Sequence, residues 1–122
     1  MRLFKIIIMN LEAIVSGHNT ASLSVDELPN YRFALIEFYT PWNGASHIMN
    51  PVIKEVQLKY KDQIKVFRID IEKDLSTAKK LNIIKAPLFQ IYNRGNLVEQ
   101  FEGIISKKVL LNKLKIIMRN YH

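Results

Sequence analysis

An alternation of apolar strand patterns and amphipathic helix patterns constrains the fold of this chain more than any other sequence feature. The segment from Phe33 to Tyr39 is a run of aliphatic and aromatic residues around one acid, Glu37, which predicts a buried strand. Pro41 closes the run, and a helix start follows at once. Strand and helix patterns continue to alternate along the chain, which is typical of an α/β layer fold.

The predicted elements have the order β-α-β-α-β-α-β-β-α. Leu3 to Ile8 or Leu11 to Val15 supplies the first edge strand, and Ser24 or Asp26 caps a short helical turn before Pro29. After the central strand, the patterns predict a helix over Ala45 to Lys61, a strand over Ile64 to Ile71, a helix over Leu75 to Leu81, strands over Pro87 to Tyr92 and Leu97 to Phe101, and a final helix capped by Ser106.

Apolar residues at helical spacing indicate which faces of two helices meet the core. The predicted inner face of the first long helix consists of Ile48, Val52, Val56 and Leu58. That of the final helix consists of Val109, Leu110, Leu114 and Ile117. The two strands before the final helix are joined by Asn93-Arg94-Gly95-Asn96, whose Gly and Asn residues tolerate the positive φ of a tight antiparallel hairpin.

Length and composition favour a single domain over residues 1–122, with the weakest patterns in residues 1–25. A chain of 122 residues can bury roughly two-thirds of its unfolded surface in one core. Hydrophobic residues make up 48% and charged residues 24%, which excludes a disordered chain.

Cysteine is absent from the whole sequence. Disulfides, zinc–thiolate sites, iron–sulfur clusters and thiol nucleophiles are therefore excluded. The three histidines, His18, His47 and His122, are far apart and lack the spacing of metal ligands. We therefore predict neither a metal nor another cofactor.

The net charge of +7 suggests an anionic partner. Basic residues are spread from Arg2 to Arg119, and only Lys79-Lys80 and Lys107-Lys108 are adjacent, so no basic stripe with interleaved aromatic residues forms. This distribution predicts a solvated surface and no nucleic-acid binding, while the charge favours an acidic protein partner.

A short apolar run near the start, Ile6 to Met9, is preceded by basic residues and interrupted afterwards by Asn10 and Glu12. Because neither a longer apolar region nor a small-residue cleavage site follows, the sequence predicts no secretory leader and no membrane span. A cytoplasmic protein is the expectation, with export, suggested by the apolar N-terminus, as the alternative. Met1 and Met9 both remain open as the natural first residue.

The segment Trp42-Asn43-Gly44-Ala45-Ser46 resembles the Trp-Cys-Gly-Pro-Cys site of the thioredoxin family. Asn43 and Ser46 stand at the two cysteine positions, and Ala45 stands where the family has Pro. Further markers of the family recur at matching positions: Glu37, Pro51, Arg68, Ala86-Pro87, Gly95 and Gly103. The resemblance implies a thioredoxin fold, in which helices flank a central mixed sheet, with a redox-inactive site.

The resemblance also implies roles for individual residues. Glu37 matches the buried acid beneath the site, Arg68 the basic residue near that acid, and Pro87 a cis-proline that faces the site. Because no thiol needs a proton here, Glu37 either pairs with Arg68 or water as an inherited structural element or has another use.

The residues at the former cysteine positions suit different roles. Asn43 is placed to cap the helix, because its side chain can accept from free backbone N–H groups. Nucleophilic catalysis by Ser46 would need a neighbouring base. His47 does not supply one, because consecutive helix residues point about 100° apart.

The expected function is binding without catalysis. Thioredoxins pair an extended peptide with the backbone before the cis-proline, so the resemblance implies a peptide or protein partner at a surface made of Trp42, Asn43, Gly44, Ala45, Ser46, Ala86 and Pro87. Alternatively, Trp42 simply covers the helix end. Two enzymatic hypotheses stay open: a cysteine-substituted form, natural or engineered, of a thioredoxin-type disulfide oxidoreductase of cell redox homeostasis, and a hydrolase or transferase that uses Ser46.

Overall fold

A mixed four-stranded sheet lies at the centre of the fold and positions the other elements. The computed structural model describes residues 23–121. They form, in chain order, a 3₁₀ helix (Val25–Asn30), β1 (Phe33–Tyr39), α1 (Gly44–Lys59), β2 (Lys65–Asp70), α2 (Leu75–Lys80), β3 (Leu88–Asn93), β4 (Asn96–Glu102) and α3 (Lys107–Asn120). The first strand that the sequence predicts, at 3–8 or 11–15, lies outside the described residues. From the short helical turn onwards, the predicted order of elements is confirmed.

The four strands lie side by side in the order β2-β1-β3-β4. β1 pairs parallel with β2 and antiparallel with β3, and β3 pairs antiparallel with β4. Because β1 is central and covered on both faces, its sequence is a continuous apolar run instead of an alternating one. The register places Glu37 of β1 directly beside Arg68 of β2 and Phe89 of β3.

Side chains of β1 alternate between two core clusters, one on each face of the sheet. Leu35 belongs to the cluster that includes Ile53 of α1 and residues of α3. Ile36 belongs to the opposite cluster, which includes Ala78 of α2. Residues two positions apart on a strand share a face, so Glu37 lies on the face of Leu35, beneath α1.

The predicted inner face of α1 is largely wrong. The helix buries Ser46, Met49, Ile53 and Val56. Ile48 and Leu58 were expected inside, yet their side chains are 57% and 76% exposed, and Val52 is only partly buried. The buried positions are spaced three, four and three residues apart, so they form one stripe that begins at a serine. The prediction considered only aliphatic residues and therefore omitted that serine. As a result, it placed the buried stripe on the wrong side of the helix.

The final helix follows its prediction more closely. Leu110, Leu114 and Ile117 are buried as expected, and the Ser106 hydroxyl accepts a hydrogen bond from the Val109 amide at 3.2 Å. Val109 itself is exposed, contrary to the prediction. It precedes Leu110 by one position and therefore points about 100° away from the buried stripe.

Two turns differ in detail from their predictions. Ser24 is the N-cap residue of the 3₁₀ helix, but its side chain makes no capping hydrogen bond, and Pro29 lies inside this helix instead of after it. In the hairpin between β3 and β4, Arg94 and Gly95 have positive φ, at 46° and 89°, whereas Asn was expected to share this role with Gly. Positive φ at both central residues is the geometry of a type I′ turn, one of the two common two-residue hairpin turns.

Gly95 also packs against the 3₁₀ helix, which makes its substitution costly. A Cβ atom at this position would lie 2.9 Å from Cγ of Pro29. We expect Gly95→Ala to lower the free energy of unfolding by about 1–3 kcal/mol, because the contact adds to the cost of positive φ for alanine. Urea denaturation measures the loss. Gly103→Ala is the matched control: Gly103 also has positive φ, at 80°, but a Cβ atom there meets nothing within 4 Å, so equal losses in both variants would contradict a contribution from the Pro29 contact.

Candidate functional site

The site lies where β1 ends and α1 begins, and Asn43 connects two parts of it. The Asn43 Oδ1 atom accepts hydrogen bonds from the amides of Ala45 at 2.8 Å and Ser46 at 3.3 Å. Its Nδ2 atom donates to the carbonyl oxygen of Ala86 at 3.2 Å. Asn43 is therefore the N-cap residue of α1 and, at the same time, a link between the start of the helix and the loop before β3.

That loop contains a cis peptide bond between Ala86 and Pro87. The Pro87 carbonyl accepts a hydrogen bond from the Gly103 amide at 3.0 Å, which brings the turn after β4 beside the loop. Lys85 and Glu102 extend the same junction with a solvent-exposed ion pair at 3.8 Å. Three chain segments, those around Asn43, Pro87 and Gly103, are thus joined into one surface.

Apolar side chains stand out from this surface. The Trp42 side chain is 72% exposed, and its indole Nε1 donates to Glu72 Oε1 at 2.8 Å. Glu72 follows β2, and its backbone amide donates a hydrogen bond to Asp70 Oδ1 at 2.9 Å. Ile84, in the loop before Pro87, and Ile104, which follows Gly103, are also exposed. The hydrogen bond to Glu72 restricts the indole while its ring faces solvent.

Sequence reasoning missed Glu72, Ile84 and Ile104 as members of the site. Glu72 is separated from Trp42 by thirty positions in the chain, and no local pattern connects them. Ile84 and Ile104 lie close in sequence to Pro87 and Gly103, which had been singled out. The available signal was a pair of adjacent isoleucines beside each marker, Ile83-Ile84 and Ile104-Ile105, outside any predicted strand or helix.

Beneath α1, Glu37 is fully buried and forms an ion pair with Arg68. Arg68 Nε donates to Glu37 Oε1, and Arg68 Nη2 donates to Asn50 Oδ1 of α1. The guanidinium also lies 4.4 Å from the centroid of the Tyr39 ring. Arg68 therefore connects the carboxylate, the helix and an aromatic ring.

The Glu37 carboxyl is harder to ionise than an exposed one. Burial raises its pKa, and the charge and hydrogen bond of Arg68 counteract only part of that rise. The Oε2 atom has no hydrogen-bond partner among residues 23–121. An ionised carboxylate at this position therefore retains an unsatisfied oxygen in the core, which carries a free-energy cost.

Ser46 is also buried, and its hydroxyl lacks a hydrogen-bond partner within the described part of the chain. His47 Nε2 instead donates to the carbonyl oxygen of Pro41. Among residues 23–121, no base is therefore hydrogen-bonded to the Ser46 hydroxyl, so none of these residues activates it as a nucleophile. Within residues 23–121, no three His, Asp or Glu side chains are grouped so that they could hold a metal ion.

Comparison with known proteins identifies the family. The family model described as Thioredoxin matches residues 6–116 of the sequence. This chain belongs to the thioredoxin family. The thioredoxin dithiol is missing from it, because Asn43 and Ser46 occupy the two positions that the motif comparison assigns to cysteine and the sequence contains no cysteine elsewhere.

Similar proteins carry the same family name. Thioredoxin Y1, chloroplastic, from Arabidopsis thaliana is 35% identical over 81 residues, which are 66% of this chain and 47% of that protein. Thioredoxin 1 from Synechococcus elongatus is 31% identical over 80 residues, 66% of this chain and 75% of that protein. The match thus spans about half the length of the plant relative.

The fold of this chain matches that of a solved thioredoxin structure. A mutant thioredoxin from Halobacterium salinarum NRC-1 superposes with a TM-score of 0.68 at 20% identity, covering 75% of this chain and 79% of that one. The predicted thioredoxin fold, with its mixed sheet flanked by helices, is confirmed. As for membranes, none of the helices in the described region is long and apolar enough to cross a bilayer.

Proposed function

We infer that this thioredoxin-family protein binds an extended segment of a partner protein across the former dithiol surface and does not exchange thiols and disulfides. The reaction requires a thiolate nucleophile, and the sequence contains no cysteine. Because the protein cannot carry out this reaction, we infer that its remaining surface binds a partner without catalysis.

The exposed Trp42 side chain is the single observation that carries this proposal. Large apolar side chains that are held in place while facing solvent are typical of protein-binding surfaces. The hydrogen bond from its indole to Glu72 lowers the entropy that the ring would lose on binding. Ile84 and Ile104 extend the apolar area on the loop before Pro87 and on the turn after Gly103.

Backbone groups beside Pro87 suit an extended ligand. The Ala86 amide makes no hydrogen bond within residues 23–121, so it is available to a peptide carbonyl. The Ala86 carbonyl already accepts from Asn43, but an oxygen with two lone pairs can accept a second hydrogen bond. A peptide strand laid along this loop could therefore pair with Ala86, as the family resemblance implies.

Replacing Trp42 tests the proposal. We expect Trp42→Ala to lose partners that the parent chain captures from an extract of its source cells, with at least a tenfold loss of affinity for a purified partner, because aromatic anchors dominate such interfaces. Leu97→Ala, which truncates an exposed apolar side chain at the hairpin end of β4, away from Trp42, is the control and should keep those partners. Identical partner lists for the parent and Trp42→Ala would remove the Trp42 surface from consideration.

The alternative function is a cysteine-substituted form of a thioredoxin-type disulfide oxidoreductase. Ser46 favours it, because its buried hydroxyl, which has no hydrogen-bond partner in the part of the chain that the structure describes, occupies the position of the second thiol. In that case the surface around Trp42 would remain a substrate groove. Replacing both Asn43 and Ser46 by cysteine distinguishes this alternative from a purely structural scaffold, because only a retained substrate groove would give disulfide reductase activity.

The location that we propose for this protein is the cytoplasm. The plant relative is named as chloroplastic, which makes import into an organelle the alternative. Imaging of the full sequence fused at its C-terminus to a fluorescent protein distinguishes the two locations.

A further inference from the structure

The C-terminal half of α1 exposes a leucine between two cavities. Leu58 is 76% exposed, although its sequence pattern had suggested a core position. A cavity of about 400 Å³ beside it is lined by Ile64, which directly precedes β2, and by Val66 of β2. A second cavity of about 350 Å³ is lined by Leu58 and by Leu111 of α3. Leu58 thus joins two aliphatic depressions into one exposed surface.

Lysine side chains surround the first cavity. Lys54, Lys61 and Lys65 line it, no acidic residue does, and none of the three amines makes an ion pair within residues 23–121. The second cavity carries less net positive charge, because the Lys107 amine there forms an ion pair with the Glu55 carboxylate at 2.6 Å. Uncompensated positive charge is therefore concentrated beside Ile64 and Leu58.

We propose that this Leu58 surface, made of Lys54, Leu58, Lys61, Ile64 and Lys65, binds an acidic protein segment that carries an aliphatic side chain. The aliphatic side chain packs into the cavity beside Leu58, and carboxylates of the segment pair with the three amines. Charge and shape both fit this occupant, since the cavity combines an apolar floor with an excess of positive charge at its rim.

Nucleic acid fits the Leu58 surface less well. Neither cavity has an aromatic lining residue on which a base could stack. Neither contains an arginine, whose forked guanidinium binds phosphate through two hydrogen bonds. A polypeptide with Glu or Asp around Leu or Ile matches the lining more completely.

The Leu58 surface and the Trp42 surface lie at opposite ends of the sheet. β1 and β2 are parallel; Trp42 follows the end of β1, whereas Lys61 and Lys65 precede or begin β2. An acidic segment bound at Leu58 therefore leaves the Trp42 surface free. The protein could then hold two partners, or two parts of one partner, at the same time.

A labelled peptide tests this second surface. The probe is a fluorescein-labelled peptide in which Glu residues flank a central Leu, and fluorescence anisotropy at low salt measures its binding. We expect Leu58→Ser to weaken binding about tenfold, and Lys54→Glu/Lys61→Glu/Lys65→Glu to weaken it at least as much. The triple variant should in turn gain affinity for a peptide with Lys in place of Glu.

Lys79→Glu/Lys80→Glu/Lys108→Glu is the matched control. It changes the net charge equally at exposed lysines outside both cavities, and we expect it to retain most of the peptide affinity. Absence of peptide binding, or equal losses in the two triple variants, would overturn the proposal. So would single-stranded RNA or phosphatidylserine vesicles that bind at least as tightly through Lys54, Lys61 and Lys65.

Discussion

Replacing both Asn43 and Ser46 by cysteine is expected to give this protein disulfide reductase activity, about a hundredfold above the background of the dithiothreitol that serves as electron donor in an insulin assay. The parent chain is expected to show only that background. The difference arises because two groups that cannot exchange electrons with a disulfide are replaced by a thiolate and a resolving thiol.

The start of α1 already provides what a thiolate at position 43 needs. The amides of Ala45 and Ser46 point at the present Asn43 side chain, at 2.8 and 3.3 Å from its oxygen. In the variant, the same N–H groups and the helix dipole would stabilise a sulfur anion. A cysteine at the buried position 46 would then attack the mixed disulfide and release the reduced substrate.

Single substitutions are the controls for this gain of activity. Asn43→Cys, incubated with a disulfide substrate after dithiothreitol has been removed, should form mixed disulfides that accumulate, because the protein supplies no second thiol to resolve them. Ser46→Cys should react slowly with thiol reagents, because Ser46 is buried. Insulin reduction by the parent chain would refute its redox inactivity, and a folded but inactive double variant would show that the groove no longer accepts disulfide substrates.

The second large effect concerns stability. Arg68→Met is expected to lower the free energy of unfolding by about 3 kcal/mol near neutral pH, because it leaves the Glu37 carboxylate buried without a countercharge. Asn50→Ala, which removes only the other side-chain hydrogen bond of Arg68, should cost about 1 kcal/mol. Chemical denaturation of the three proteins measures both losses.

The loss in Arg68→Met should depend on pH with a defined sign. Burial raises the Glu37 pKa in the folded protein, and Arg68 counteracts that rise, so the variant raises this pKa further. A carboxyl whose pKa is higher in the folded than in the unfolded protein stabilises the fold when it is protonated. This stabilisation is complete at pH values below the pKa of the unfolded chain, 4.5. It disappears as the pH increases through the pKa of the folded protein. The deficit relative to the parent should therefore shrink as the solution is acidified from neutral pH towards 4.5. A deficit that grows on acidification would contradict this assignment.

Local signals explain what the sequence predicted correctly. The apolar run of β1, the position of Asn43 before α1 and the Ser106 cap of α3 depend on neighbours within a few positions, which a single sequence displays. The same locality explains the error in α1. Ser46 faces the core because the sheet and α1 meet there, and no property of serine indicates burial, so the phase of the buried stripe was misjudged.

Contacts between distant segments could not be read from the sequence. The Asn43 side chain reaches Ala86 across 43 positions, and the Trp42 indole reaches Glu72 across thirty. Both contacts depend on how β1, β2 and β3 align in the sheet, which the family resemblance implied only coarsely. The same holds for Leu58, whose exposure beside a lysine-lined cavity became visible only once α1 and β2 were placed together.

The central claim is that a partner lies across the Trp42 surface, and amide hydrogen–deuterium exchange tests it most directly. The measurement compares the parent chain alone with its complex with a partner that Trp42→Ala fails to capture. We predict slower exchange in the complex at residues 42–46, at Ala86 and around Gly103. Unchanged exchange in all three segments, with protection confined to other parts of the chain, would contradict the claim.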